Sequence, residues 1–303
     1  MAPAEIPPHV SVLLNESLEH LQLRPGQTVA DCTLGAGGHS AAFIERIKPN
    51  GRLIAFDVDP EALSIARARL QPLADAADVS LDFVQDNFRN IRGALAALHV
   101  NSADAVFADL GVSSMQFDRP HRGFSFRFDE PLDMRMDPTL PQTAADLLRT
   151  RPENEIADII YQYGEERKSR RIARAIVEQR RANPVETTGQ LEELVRRALR
   201  VRRHERIHPA TRTFQALRIA VNGELDALQA LLSDGPELLT PGGRIGIITF
   251  HSLEDRLVKH AFKALDQTGR FQQTVKFVAA SDAEIEQNPR SRSAKLRVLE
   301  RCT

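Results

Sequence analysis

The chain has 303 residues, enough for one large domain or two ordinary ones. It is 42% hydrophobic and 27% charged, so it can build a sizeable core, and general disorder is excluded. A net charge of −1 excludes a global pull toward nucleic acid, so any such attraction must come from local patches.

The first half alternates strand and helix. Residues 27–35, "QTVADCTLG", read as a short apolar strand ending at Gly35, and residues 40–48 follow with helical spacing and Ser40 as N-cap. Residues 51–59 form a second strand, after which Pro60 opens a helix in the favoured first-turn position. Residues 79–88 give a third strand, and "ADAVFADLG" from Ala103 gives a fourth. Strands separated by helices imply a parallel sheet with right-handed crossovers. Such sheets bind ligands beyond the carboxyl ends of their strands. Here those ends are the glycine loop 35–39, Asp57, residues 86–88 and Asp109.

Gly35, Gly37 and Gly38 lie between strand and helix, where glycine permits positive φ and close approach of a ligand to the backbone. Asp57 follows at about the 20-residue spacing at which a carboxylate can accept both ribose hydroxyls. A dinucleotide loop needs a third glycine, and Ser40 stands there; no GK[ST] follows, so a P-loop is absent. A ribose acid without phosphate chemistry suits S-adenosylmethionine. Asp86 is then a candidate for the adenine amino group. Phe88 either flanks the ring or simply packs in the core.

After Ser114 the rhythm stops. Phe124, Phe126 and Phe128 alternate as on a strand burying one face, with base stacking as the second reading. Helices start near Thr143. Residues 167–182 form an amphipathic one, with Arg167, Arg171 and Arg174 on one face, Lys168 and Arg170 beside them, and Ile172, Ala173, Ile176 and Val177 roughly opposite. Residues 195–208 add more arginine. Such runs are usually solvated faces, but two of them in a neutral chain favour RNA phosphate contact. Residues 210–232 read as one long helix with an apolar stripe through Phe214, Leu217, Val221, Leu225, Leu228 and Leu232, crossing back to the sheet. Gly242 and Gly243 turn into a fifth strand, and "TVKFVAA" and "KLRVLER" read as a closing hairpin. The expected organisation is an α/β domain made of residues 1–118 and 215–303. A mainly helical substrate-recognition domain, residues 119–214, is inserted in it.

Two cysteines, Cys32 and Cys302, without a CxxC pair exclude a disulfide scaffold and a zinc ribbon. No stretch approaches ~18 uninterrupted apolar residues, and the first residues lack a basic leader, so a cytoplasmic protein with no membrane contact and no metal is expected.

Long motifs then add a resemblance. "HVSVLLNE", "DCTLGAGGHS", "ADLGVSS", "RGFSF", "PLDMRMD", "YGEERKSRRIARAIV", "HPATRTFQALRIAVN", "FHSLEDRLVK" and "NPRSRSAKLR" together resemble the bacterial 16S ribosomal RNA cytosine-N4 methyltransferase family. The resemblance implies a class I S-adenosylmethionine-dependent methyltransferase fold, Rossmann-like with a mostly parallel sheet, interrupted by a helical insert. It implies methyl transfer from S-adenosylmethionine to the exocyclic amine of one cytidine in the decoding region. By motif position it carries cofactor contacts onto Gly37, Gly38, His39, Asp57, Phe88, Asp109 and Gln116. The implied partner is 16S rRNA within the small ribosomal subunit; a homodimer is a separate possibility on which the sequence itself is silent.

Asp109 is the candidate catalytic residue, accepting from the cofactor's ammonium, from cytosine N4, or from both in turn, with Ser113, Ser114 and His251 as neighbours. The favoured reading of His251 is a hydrogen-bonded structural histidine. Methylation at cytosine C5 would need a thiolate, and neither cysteine lies at a fourth- or fifth-strand end. The competing classes are a nucleotide-binding module without chemistry and an NAD-dependent oxidoreductase.

Overall fold

The computed structural model describes residues 11–112, 122–200 and 208–303. The chain divides into two compact units, one made of Met1–Ser113 with Leu225–Thr303 and the other of Ser114–Glu224.

The first unit begins with α1 (Leu14–Leu21) and β1 (Thr28–Asp31). Then come α2 (Gly38–Ile47), β2 (Arg52–Asp57), α3 (Pro60–Ala77), β3 (Ser80–Gln85), a 3-10 turn at Phe88–Asn90, α4 (Ile91–Ala97) and β4 (Ala103–Asp109). Leu53, Ile54, Ala55 and Phe56 are all fully buried, as a central parallel strand covered on both faces requires. Their alternation assigns the two faces. Ala30, Ile54, Phe56 and Val106 join one core cluster, while Val29, Leu53, Ala55, Ala105 and Phe107 join the other. Each large side chain so buried contributes roughly 1.5–3 kcal/mol relative to exposure.

The sheet order is β3-β2-β1-β4-β5-β7-β6, where β5 is Leu239–Thr249, β6 is Phe271–Ala279 and β7 is Lys295–Arg301. β1 to β5 pair in parallel, and β7 runs antiparallel between β5 and β6. The order reverses between β1 and β4, which opens a crevice beyond their carboxyl ends.

The second unit is helical: α5 (Ala144–Thr150), α6 (Glu153–Gly164), α7 (Ser169–Ala182), α8 (Thr188–Leu199) and α9 (Thr211–Asn222). Capping boxes of Thr143 with Asp146 and Thr187 with Gln190 start α5 and α8. Gly164 has a packing reason: a Cβ there would lie 2.5 Å from the Arg212 carbonyl, so glycine lets α6 and α9 meet.

Several expectations change. Ser40 is no N-cap. Gly37 caps α2, and the buried Ser40 hydroxyl instead donates to Asp31 at 2.6 Å. The expected long helix breaks at Gly223, whose φ of 59° ends α9 before α10 (Glu224–Asp234) begins. Phe124, Phe126 and Phe128 form no strand. Phe124 is buried, Phe126 stacks on His208 with ring centroids 4.4 Å apart, and Phe128 is 68% exposed. β6 and β7 do pair, but the link between them carries α12 (Asp282–Gln287) and a 3-10 turn, so they form no tight hairpin. β6 is reached from β5 through α11 (Ser252–Asp266). Cys32 falls just past β1, not within it.

Candidate active site

Three of the parallel strands deliver an aspartate to the crevice: Asp31 ends β1, Asp57 ends β2 and Asp109 ends β4. Apolar strands ending in acids concentrate negative charge at one edge. Burial makes that charge costly.

The glycine loop turns between β1 and α2. Gly35 and Gly37 have φ of 50° and 76°, a region L side chains rarely adopt. A Cβ on Gly37 would also lie 3.0 Å from Leu70 Cδ1, so a side chain there would be strained by the conformation and crowded against Leu70. The Gly35 N–H donates to Asp57 Oδ2 at 2.8 Å, and Asp59 N–H donates to Oδ1 at 2.9 Å. Asp57 thus locks the loop while retaining lone pairs for further donors. Burial pushes its carboxyl up to about 6, against the pull of those two amides.

Asp31 is buried, accepting from Ser40 Oγ at 2.6 Å and from Thr33 N at 3.1 Å. Burial raises its carboxyl to about 6. The sequence reading missed both Asp31 and Thr33. The available signal was the acid that opens "DCTLG", directly before the glycine loop. Thr33 accepts from the Asp109 N–H at 2.6 Å, tying the end of β4 to the start of the loop.

Asp109 is only partly satisfied. Its Oδ1 is buried with no hydrogen-bond partner among the described residues. Its Oδ2 lies 3.6 Å from His39 Nδ1. Burial, then the like charges of Asp31 and Glu254, hold its carboxyl well above the usual range. His39 is buried, its Nε2 lies 3.0 Å from the Val12 carbonyl, and its ring packs 4.7 Å from that of Phe107. A carbonyl only accepts, so Nε2 carries a proton and Nδ1 is the atom facing Asp109.

The remaining expected residues divide. Gly38 opens α2. Phe88 starts the 3-10 turn, half-buried against the core. Asp86 accepts from Asn87 N at 2.7 Å and Asn90 Nδ2 at 2.9 Å, so it shapes its own turn. His251 caps α11: its Nδ1 accepts from Glu254 N at 3.4 Å in a capping box. Its Nε2 sits 3.0 Å from Glu254 Oε1, but without hydrogen-bond geometry. Ser113, Ser114 and Gln116 lie outside the described residues.

The donor set fits a ligand with hydroxyl and ammonium donors. A glycine cradle admits backbone approach, Asp57 offers an acceptor beside it, and Asp109 Oδ1 lacks a donor among the described residues. A seven-stranded sheet of this order, with its one antiparallel strand next to the edge and its acids at the switch point, is the class I methyltransferase fold.

The MraW methylase family matches residues 7–302. The chain belongs to that family. It is 50% identical over 294 residues to a protein of Acidobacterium capsulatum named ribosomal RNA small subunit methyltransferase H, covering 97% of this chain and 98% of that one. Relatives of the same name in Synechococcus elongatus and Symbiobacterium thermophilum are 51% and 48% identical, covering 97% and 96% of this chain and 94% and 96% of theirs. Among the described residues, no helix is long and apolar enough to cross a membrane.

Proposed function

We propose that this chain methylates the exocyclic N4 amine of a cytidine in 16S ribosomal RNA, using S-adenosylmethionine, in the cytoplasm. The observation that carries the reading is the orphaned, buried Asp109 Oδ1 at the end of β4, beside a glycine loop locked to Asp57. The names of relatives about half identical over nearly the whole chain support the rRNA substrate. The cytosine position rests on the motif resemblance.

When bound, S-adenosylmethionine supplies an electrophilic methyl on a cationic sulfur. Asp57 would accept the ribose hydroxyls. Gly37 and Gly38 would let the backbone approach the amino-acid part. Phe88 would flank the base, His39 would hold Asp109 in place, and Gln116 is a further candidate contact. The substrate-recognition role falls to the insert, residues 119–214.

The cytosine amine is a weak nucleophile because its lone pair is delocalised into the ring. As it attacks, it becomes pyramidal and cationic. An acceptor of negative character stabilises that state more than the ground state. A cation beside Asp109, whether ammonium or reacting amine, would also pull its carboxyl back toward the charged form. C5 chemistry would need a thiolate near the reacting base. Cys32 is buried, and burial, then the Asp31 charge, pushes its thiol well up.

Calorimetry tests the cofactor directly. The reading expects binding of S-adenosylhomocysteine and none of NAD. Tight NAD binding with no S-adenosylhomocysteine binding would overturn it.

A further inference from the structure

The sequence placed Arg167, Arg171 and Arg174 on one basic stripe, but the structure sorts them differently. Arg174 lies 3.8 Å from Glu153. On α8, Arg196 and Arg197 sit 3.8 and 4.0 Å from Glu192 and Glu193. These three arginines each have a carboxylate neighbour, in long and exposed pairs. Arg167, Lys168, Arg170 and Arg171 are exposed and make no such pair among the described residues. They line a cleft of about 380 Å³ where α6 meets α7, together with Tyr161 and Asp158. Its size is that of a small-ligand site. Tyr161 is 59% exposed, one of few large apolar side chains so open among the described residues.

The cleft is chemically two-ended. Four unpaired cations attract anions, and guanidinium groups match phosphate oxygens. Asp158 and Tyr161 are three residues apart on α6 and therefore neighbours on its surface. A carboxylate would weaken a site built for phosphate alone. It serves a ligand whose other end carries N–H donors, and the open tyrosine ring beside it gives a flat partner a stacking face.

We propose that this cleft holds one nucleotide of single-stranded RNA. The base stacks on Tyr161 and donates to Asp158, and the flanking phosphates lie against Arg167, Lys168, Arg170 and Arg171. The assignment rests on the RNA-substrate reading above and adds to it which insert residues grip the strand.

The test uses the full chain and a short fluorescein-labelled single-stranded RNA, titrated at several salt concentrations. Tyr161→Ala should weaken binding about tenfold with the salt slope unchanged, and Tyr161→Phe should restore it. Arg170→Ala/Arg171→Ala should flatten the slope by about 1.4, at about 0.7 per phosphate contact. All these residues are exposed, so the variants should melt like wild type. Wild-type affinity in Tyr161→Ala together with a wild-type slope in Arg170→Ala/Arg171→Ala would overturn the proposal, as would equal displacement of the RNA by polyglutamate and by unlabelled RNA. Methyl transfer to small subunits by the same wild-type preparation separates the two claims. If wild type methylates while the variants bind RNA normally, the cleft fails alone. If wild type does not methylate while the variants bind RNA weakly, the activity reading fails alone.

Discussion

His39 and Asp109 form one unit: Nδ1 of the histidine lies 3.6 Å from Oδ2 of the aspartate, and the histidine's other nitrogen is fixed 3.0 Å from the Val12 carbonyl. The ring is thereby oriented from α2, directly after the glycine loop. Thr33 holds the Asp109 backbone from a third direction at 2.6 Å. Two contacts hold Asp109, one of them through a histidine that Val12 fixes, and its second carboxyl oxygen has no partner among the described residues.

Asp109→Ala should leave the fold intact and cut methyl transfer about 10²-fold or more, the scale for losing a key polar group in a transition state. Single-turnover transfer, with a melting curve alongside, measures both. A fully active variant with unchanged cofactor affinity would reduce Asp109 to a turn residue.

Thr33→Val removes the acceptor for the Asp109 N–H without touching its carboxyl. A buried donor left unpaired costs roughly 1–3 kcal/mol of stability. If Thr33 positions Asp109, kcat should fall while Asp109→Ala/Thr33→Val is no slower than Asp109→Ala alone. Additive losses would mean that Thr33 acts independently.

Asp31 makes stability depend on pH in a stated direction. Its folded carboxyl titrates at about 6 against an ordinary 3.8, so the folded protein holds this proton where the unfolded chain has lost it. The contribution is complete below about pH 4 and is lost as pH rises through about 6, on the order of 3 kcal/mol in all. Asp31→Asn cannot titrate. The stability of the variant relative to wild type should therefore rise from pH 4 to 6.5 and level off above, as read by urea melts of ligand-free protein. A difference that is flat with pH would remove this account of Asp31.

Asp57 carries the same shift into ligand binding. Its carboxyl titrates at about 6. Protonation removes acceptor capacity, so affinity for S-adenosylhomocysteine should fall as pH drops below 6, and Asp57→Asn should bind weakly with little pH dependence. Calorimetry at pH 5 to 8 checks both.

Gly37→Ala should destabilise the protein by more than about 1 kcal/mol, since the position needs φ of 76° and leaves 3.0 Å to Leu70 Cδ1. Denaturant melts measure it, and Gly26→Ala provides the contrast. Gly26 has a φ of 79° with nothing within 4 Å, so it should cost the backbone strain alone.

Much of this architecture is readable from residues. Apolar runs ending in Asp57 and Asp109 announced parallel strands, and Pro60 sits at the first turn of α3 with Asp59 as its cap. What escaped was long-range or local in a misleading way. Ser40 has the chemistry of a cap, yet burial against Asp31 uses its hydroxyl elsewhere. Gly223 interrupts a continuous apolar stripe, and the positive φ that ends α9 outweighed the periodicity. Asp31 was visible in the glycine motif, but its environment depends on α2 folding back over it. The basic stripe of α7 was legible as charge; that Arg174 sits beside Glu153 was not, because that pairing joins separate helices.

The central claim is methyl transfer to cytosine N4 of 16S rRNA. Labelled methyl transfer to small subunits, naked rRNA and free cytidine, followed by nucleoside mass analysis, tests it most directly. The account predicts N4-methylcytidine from an rRNA-containing substrate. Label on cytosine C5, or none on any RNA, would contradict it.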